Sequence, residues 1–307
     1  MKVGVISSVE LCIPLLQLLQ ANKISSLLFA DVEDRADFAG LAYFCKTAGI
    51  RVHESGGSDN AVYQWLDMYE PDVIFVLGFK HRIDIKQLPL KLNGRLFNIH
   101  FGSLPAYRGP NPVFWQIRNG EQEVAATIHH ITGKFDAGPI VWSKAVTREE
   151  HFTYAQVNRV LSYVCVEGVG WILQHIMQNK KIAERAQPVA GIAYHKRPGI
   201  EEVSIHWDRM TAREIVLLIN ACSSWNKGAI TYYNGQELKI MDAFQVSADT
   251  KEGEIYSPGT VINCIDTFKV ACINGEVLRI SMLNLSGIFI PERNAQKFGF
   301  VKMQQLG

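Results

Sequence analysis

The apolar run Val73–Leu77 limits the fold of this chain more than any other feature. Its five successive apolar residues follow Pro71 and Asp72, and such a run is typical of a strand buried on both faces of a parallel sheet. Strand-like runs and stretches of helical spacing alternate around it. The strands are Val3–Ile6, Ile24–Ala30 and Leu96–His100, and the helices are Pro14–Leu19, Ala36–Thr47 and Ala61–Met68. This alternation predicts an α/β fold with a Rossmann-like, mostly parallel sheet.

The pattern changes near residue 200. One helix with a capping box is expected at Thr211–Ala221, and short β-type runs between turn signals follow it. Asn234-Gly235 and Asn274-Gly275 each stand between two such runs, and Asn-Gly is a strong hairpin signal. We therefore expect two domains, residues 1–199 and residues 200–307, of which the second is a small β-rich, OB-like domain.

Composition and charge exclude several classes of protein. The chain has 31 Lys and Arg residues against 30 Asp and Glu, so it has no bulk positive field that would attract nucleic acid or an anionic membrane. The first residues lack the features of a signal peptide, and no uninterrupted run of about 18 apolar residues occurs. The six cysteines include no C-x-x-C pair, which favours reduced thiols in the core. We expect a cytoplasmic protein that contacts no membrane.

The turn after the first strand argues against a dinucleotide cofactor. It reads Ser7-Ser8-Val9-Glu10 and holds no glycine. A dinucleotide needs close approach of the backbone and free helix N–H groups at this turn. Glu10 would also repel a pyrophosphate there, so NAD binding is not expected.

The densest polar cluster follows the strand Leu96–His100. Asn98 and His100 are two residues apart, so their side chains share one face of the strand. They lie at its C-terminal end, where open α/β sheets bind ligands. The loop that follows is rich in Gly and Pro and can form a cavity wall at little cost in entropy. A second polar element, Thr132–Gly138, contains Asp136.

An amide, an imidazole and a carboxylate together suit acyl transfer. The amide N–H can stabilise an oxyanion. The imidazole can take the proton that an attacking amine loses. The carboxylate can hold the imidazole in one tautomer and raise its basicity. The spacing alone also fits a structural alternative, in which Asn98 and His100 cap a turn and Asp136 occupies a tight turn before Gly138.

Two motifs give the chain a resemblance to a known family. The first reads N-I-H-x-x-x-L-P-x-Y-R-G-P-x-P over residues 98–112, and the second reads T-I-H-H-I-T-x-x-x-D-A-G-P-I-V over residues 127–141. They resemble the formyltransferases that use 10-formyltetrahydrofolate, a family that includes methionyl-tRNA, glycinamide ribonucleotide and sugar-nucleotide formyltransferases and the formyltetrahydrofolate hydrolases. The similarity covers nearly the whole chain, and residues after 200 are similar to the C-terminal β domain of the methionyl-tRNA and amino-arabinose enzymes.

The resemblance implies a catalytic set and a folate site in residues 1–199. Asn98 would stabilise the oxyanion, His100 would shuttle the proton and Asp136 would support His100. A 10-formyltetrahydrofolate co-substrate would be expected, and no metal, because a formyl group on N10 is already activated. The residues implied for folate binding are Gly78, Phe79, Pro110, Thr132, Gly133, Lys134 and Phe135.

One departure from the family pattern lies in the first motif. The family usually has Ser two residues after the His and then two leucines, whereas this chain has Gly102 and then Ser103. The length of the loop is unchanged, since Pro105, Tyr107 and Arg108 keep their offsets. The difference is interpreted as a local change of the pocket wall.

The acceptor amine is expected to belong to a small molecule. The tRNA enzymes typically carry a long basic loop after the second strand, but Asp31–Asp37 is short and holds four acids against Arg35. Acidic residues repel an RNA backbone, so tRNA is the less favoured acceptor. The favoured acceptor is an amino-sugar nucleotide. Its phosphates are expected to contact Lys80, Arg82 and Arg108, or these residues form surface ion pairs instead. A hydrolase and a non-catalytic binding module remain alternatives, and His81, His129, His130, His151, His175, His195 and His206 are assigned structural or surface positions.

Overall fold

The apolar run Val73–Leu77 forms the middle strand of the first sheet in a computed structural model that describes residues 1–32, 35–55, 60–247 and 256–307. The strands in chain order are β1 (Lys2–Ile6), β2 (Ser25–Ala30), β3 (Arg51–Glu54), β4 (Val73–Leu77), β5 (Leu96–His100), β6 (Glu123–His130) and β7 (Ile140–Thr147). Their order across the sheet is β3-β2-β1-β4-β5-β6-β7. The first five are parallel, whereas β6 pairs antiparallel with both β5 and β7. This confirms the predicted mostly parallel sheet.

The described residues before position 200 form five α-helices. They are α1 (Ile13–Ala21), α2 (Arg35–Ala48), α3 (Ala61–Tyr69), α4 (Pro112–Arg118) and α5 (Tyr154–Met177). Every residue of β4 is buried, as expected for a strand covered on both faces. Trp65 of α3 packs in a core cluster with Phe29 of β2, Ile74 and Val76. The predicted alternation of strand and helix is therefore present, with β3 as a strand that the sequence pattern did not indicate.

Helix α5 is long and apolar. Among the described residues, α5 is the one helix whose length and composition would allow it to cross a membrane. A core helix has the same features. Leu161, Cys165 and Val169 of α5 are fully buried. A Cβ on Gly168 would collide with the ring of Trp142 on β7, so the helix packs directly against the sheet at this point.

The second sheet is antiparallel and follows two helices, α6 (Ile200–Val203) and α7 (Ala212–Cys222). Its strands are β8 (Ala229–Tyr233), β9 (Gln236–Val246), β10 (Val261–Asn263), β11 (Phe268–Ala271), β12 (Val277–Leu285) and β13 (Ile288–Pro291). The order is β10-β11-β12-β9-β8, with β13 also paired to β12. The predicted β-rich second part is confirmed.

Two local predictions in this second part are also confirmed. Asn234 and Gly235 join β8 to β9 with φ values of 50° and 77°. Positive φ at both central residues is what a type I′ hairpin turn requires. At the start of α7, the Thr211 hydroxyl accepts a hydrogen bond from Glu214 N, and the Glu214 carboxylate accepts one from Thr211 N, which completes the capping box.

The chain folds as two compact units. The first comprises Met1–Pro112, Glu123–Thr147 and Asn158–His195. The second comprises Lys196–Gly307 together with the short stretches Val113–Gln122 and Arg148–Val157. The single boundary between residues 199 and 200 stays a prediction. Every residue that the sequence analysis placed in a site belongs to the first unit.

Candidate functional site

Strand pairing places Asn98 next to a histidine of the neighbouring strand. In the antiparallel pair β5–β6, Asn98 lies directly opposite His129. His129 Nδ1 is 2.9 Å from the backbone oxygen of His130, which can only accept, so Nδ1 carries the hydrogen and Nε2 is an acceptor when the ring is neutral. Asn98 Nδ2 donates to this Nε2 at 3.1 Å and to Asp136 Oδ1 at 3.2 Å.

Asp136 reaches this face from the connection between β6 and β7. The connection folds back tightly: a Cβ on Gly138 would collide with the carbonyl oxygen of His130. Asp136 has a φ of 51°, a left-handed conformation that is uncommon for a residue with a side chain. Its Oδ2 accepts from the N–H of Gly109 at 2.9 Å, which ties it to the loop that follows β5. The structure therefore brings Asn98, His100 and Asp136 together.

His100 is buried, and its two ring nitrogens have different partners. Nε2 donates to the carbonyl oxygen of Tyr107 at 2.6 Å. Nδ1 lies 3.5 Å from Asp136 Oδ1. Because a carbonyl can only accept, the hydrogen of the neutral ring sits on Nε2, and Nδ1 is free to take a proton. The tautomer of His100 is thus set by a backbone carbonyl rather than by the carboxylate that the sequence analysis expected.

The pKa values of the two groups move in the same direction for different reasons. Burial lowers the pKa of His100, against the opposite effects of Asp136 and of the Tyr107 carbonyl. Burial alone would raise the pKa of Asp136, but His100, His129 and the Gly109 N–H together lower it to about 2. Near neutral pH the site thus holds a neutral imidazole beside an ionised carboxylate, and such a pair can accept one proton at Nδ1.

Gly102 leaves room for the His100 ring. A Cβ at this position would lie 2.8 Å from His100 Nε2 and 2.9 Å from Pro112 Cβ. Real Cβ atoms do not approach other atoms so closely, so any side chain here would displace the ring or the proline. The departure from the family pattern at residue 102 therefore bears directly on the position of His100.

The residues implied for folate binding lie on three loops of the first unit. Thr132, Gly133, Lys134 and Phe135 form a turn directly before Asp136, and the Phe135 ring is half exposed. Pro110 follows Gly109, whose N–H binds Asp136. Gly78 has a φ of 68°, and Phe79 packs edge-on against Phe29. The Arg82 guanidinium lies beside Gly133, which brings the loop after β4 close to the turn.

A cleft of about 1010 Å³ opens beside the start of β5. Its wall combines apolar side chains, among them Leu88, Leu92 and Ile131, with charged ones such as Lys86 and Glu184. Neither the predicted catalytic residues nor those implied for folate binding line it. The cleft is therefore not assigned to the candidate site.

Two of the three cations that were considered for phosphate binding have protein partners. Lys80 forms an ion pair with Asp31 at 3.2 Å. Arg108 donates through Nε and through a terminal nitrogen to Gln187 Oε1, at 3.0 and 2.7 Å.

The acidic segment 31–37 is described only in part, because Glu33 and Asp34 lie outside the described residues.

Three participants in this cluster were not identified from the sequence. The carbonyl of Tyr107 and the side chain of Gln187 carry no motif signal. His129 is predicted to be a structural or surface residue, and its ring is buried with Nε2 3.5 Å from Asp136 Oδ1. The signal that could have found it is the register of β6, since Asn98 and His129 face each other only when the two strands are antiparallel.

Comparison with known families gives two matches along the chain. A family described as "Formyl transferase" matches residues 5–164, and one described as "Formyl transferase, C-terminal domain" matches residues 200–288. The first match alone covers more than half of the sequence.

Solved structures share the fold at low sequence identity. HypX from Aquifex aeolicus in complex with tetrahydrofolic acid is 17% identical with a TM-score of 0.70, over 97% of this chain and 47% of that chain. An N-formyltransferase from Helicobacter canadensis in complex with folinic acid and dTDP-3-aminofucose is 17% identical with a TM-score of 0.68, over 91% and 98%. WlaRD, a sugar 3N-formyl transferase solved with dTDP and 5-N-formyl-THF, is 18% identical with a TM-score of 0.68, over 91% and 97%. The chain spans about half the length of HypX.

Proposed function

Because the chain belongs to the formyl transferase family, we propose that it is an N-formyltransferase that moves the formyl group of 10-formyltetrahydrofolate to a primary amine of a small molecule. One observation carries the proposal. The Asp136 carboxylate lies 3.2 Å from the Asn98 amide nitrogen and 3.5 Å from His100 Nδ1, although Asp136 comes from a different loop. An oxyanion donor, a proton acceptor and a charged partner are the groups that transfer of an acyl group to an amine requires.

The turn before Asp136 carries groups that fit a folate. The exposed Phe135 ring offers an apolar surface for an aromatic ring system. Lys134 offers positive charge for carboxylates. Gly78, Phe79 and Pro110 would complete the site, as the family resemblance implies. When bound there, 10-formyltetrahydrofolate would supply a formyl group that is already activated. The folate compounds in the HypX, WlaRD and Helicobacter structures support this assignment.

Each of the three residues would have one role in the transfer. Asn98 would turn one N–H from His129 Nε2 to the formyl oxygen, where negative charge develops. His100 would take the proton of the attacking amine on Nδ1, while its Nε2 hydrogen remains bound to Tyr107 O. Asp136 would stabilise the resulting imidazolium from 3.5 Å. His100 would then return the proton towards the leaving nitrogen.

We propose an amino-sugar nucleotide as the acceptor. The dTDP-3-aminofucose of the Helicobacter structure and the dTDP of WlaRD support this class. Of the three cations first considered for the phosphates, Arg82 is the best placed, because Lys80 and Arg108 bind Asp31 and Gln187. The acids of the segment 31–37 disfavour tRNA, although Asp31 itself pairs with Lys80 and His81.

The function is tested by supplying 10-formyltetrahydrofolate with a panel of amines and following the product by mass spectrometry. The panel comprises dTDP- and UDP-linked amino sugars, methionyl-tRNA and a reaction without amine. We expect one formyl group on an amino-sugar nucleotide for each formyl group lost from the folate. Formylation of tRNA would refute the proposed acceptor, formate release without any amine would indicate a hydrolase, and the absence of any loss of formyl from the folate would refute the function.

Gly102 gives a further prediction for this reaction. Gly102→Ala should lower kcat by about 10- to 100-fold, because the new Cβ displaces the His100 ring and small misplacements of reacting groups have effects of this size. KM should change little. The matched control is Gly170→Ala on α5, whose Cβ would meet Leu18 at an ordinary 3.9 Å. Equal kcat values for the wild type and for Gly102→Ala would show that the ring tolerates the added carbon.

A further inference from the structure

The side chain of Gln187 makes four hydrogen bonds between the two loops that form the site. Its Nε2 donates to the backbone oxygens of Asp136 and Gly138, both at 2.8 Å. Its Oε1 accepts from two nitrogens of Arg108, at 3.0 and 2.7 Å. Both N–H groups and the carbonyl oxygen of this amide are therefore hydrogen-bonded. Each partner lies on a loop that contacts the catalytic cluster.

Gln187 belongs to a segment that is anchored on both sides of these loops. Upstream, Arg185 pairs through its backbone with Ile140 at the start of β7, with N–O distances of 2.8 and 2.9 Å. Downstream, His195 N donates to Arg108 O at 2.8 Å, and the His195 ring stacks on Tyr107. The position of the Gln187 amide is thus fixed by the backbone on either side.

The backbone of Asp136 needs such support. A residue with a side chain at a φ of 51° is held in a sparsely populated conformation, which persists only when its surroundings enforce it. The Gln187 amide binds the carbonyl of this residue and that of Gly138. In this conformation Asp136 Oδ2 meets the Gly109 N–H, and Oδ1 faces His100 Nδ1.

From these contacts we propose that Gln187 is a positioning residue for the formyl transfer. It holds Asp136 in its left-handed conformation and joins it to the Arg108–Gly109 loop, which keeps the carboxylate beside His100. Gln187 acts through Asp136 and does not touch the reacting atoms. The expected effect of Gln187 on kcat rests on the proposed function, whereas its effect on the position of Asp136 does not.

The variant Gln187→Glu tests the proposal with little change of shape. Its carboxylate still accepts from Arg108, but an oxygen replaces Nε2 and faces the two carbonyls of Asp136 and Gly138. We expect kcat to fall by about 10- to 100-fold while KM for both substrates stays within about threefold, because the loss is one of orientation. The ratio of variant to wild-type kcat should rise as the pH falls, since protonation of the introduced carboxylate restores one donor.

The matched control is Arg185→Ala on the same segment. It removes the bond from the Arg185 guanidinium to the Ser143 hydroxyl and leaves the contacts of Asp136 intact. If the segment served only as a structural anchor, Arg185→Ala and Gln187→Glu would lower kcat equally, with parallel losses of thermal stability. Equal losses, or an unchanged kcat in Gln187→Glu, would overturn the proposal.

A second readout does not depend on formyl transfer. The titration of His100 is followed by NMR in protein labelled with ¹⁵N-histidine. Because Asp136 raises the pKa of His100, displacement of the carboxylate in Gln187→Glu should move this titration to lower pH, and Arg185→Ala should not move it. An unmoved His100 titration would refute the positioning role even if the protein transfers formyl groups. A wild type without transfer, but with a moved titration in Gln187→Glu, would refute the proposed function alone.

Discussion

Replacing His100 with alanine should lower kcat for formyl transfer by about 10²- to 10⁴-fold, the usual contribution of a general acid–base group. The reason lies in the two ring nitrogens. Tyr107 O holds the hydrogen on Nε2, so Nδ1 is the atom that can accept the proton of the amine. The neighbouring carboxylate cannot replace it, because Asp136 is ionised with a pKa of about 2 and is a very weak base.

The His100 experiment needs a variant that preserves the buried contacts. His100→Ala leaves the Tyr107 carbonyl without its donor, which by itself destabilises a buried site. His100→Gln keeps an N–H that can reach towards this carbonyl but cannot take up a proton. The exposed His151 provides the control, and His151→Ala should leave kcat unchanged. Near-normal turnover in a folded His100→Gln protein would contradict the assignment of the base.

Replacing Asp136 with asparagine should have the second large effect, a loss in kcat of about 10²- to 10⁴-fold. The amide has nearly the shape of the carboxylate but lacks the negative charge that stabilises a protonated His100 at 3.5 Å. The charge of Asp136 also raises the pKa of His100. We therefore expect the His100 titration in Asp136→Asn to move to lower pH, as NMR would measure. A retained kcat would show that the carboxylate serves the fold alone.

The same variant should change the pH dependence of stability. The pKa of Asp136 is lowered in the native protein to about 2, so the native state binds this proton less tightly than the unfolded state. The resulting stabilisation is present above the ordinary carboxyl pKa of about 4 and is lost as the pH falls towards 2. Denaturant unfolding between these values should show a smaller loss of stability for Asp136→Asn than for the wild type. If the free energy of unfolding changed equally with pH in both proteins, the native partners of Asp136 would not lower its pKa.

Local patterns in the sequence predict much of the fold. The uninterrupted run Val73–Leu77 becomes the buried middle strand because five apolar residues in succession suit a strand that is covered on both faces. Asn234-Gly235 becomes a hairpin turn because few other residue pairs accept two positive φ values. Alternation along β5 likewise places Asn98 and His100 on one face.

The rest of the site depends on contacts between residues that are far apart in the sequence, and local patterns do not reveal such contacts. His129 faces Asn98 only because β6 joins the sheet antiparallel. Asp136 arrives through a connection that folds back, in a left-handed backbone conformation. Tyr107 acts through a backbone carbonyl, which every residue has, and Gln187 lies 51 positions beyond Asp136. Such contacts follow from tertiary packing and leave no periodic signal.

His100 and Asp136 are expected to act as one unit on a single formyl group, and a double-mutant comparison tests this most directly. Single-turnover transfer from 10-formyltetrahydrofolate to the amino-sugar nucleotide is measured for His100→Gln, Asp136→Asn and the combined variant. Residues that act as a unit have strongly non-additive effects. We predict that the combined variant is no slower than the slower single variant. Multiplication of the two losses would show that His100 and Asp136 contribute independently and would contradict the account.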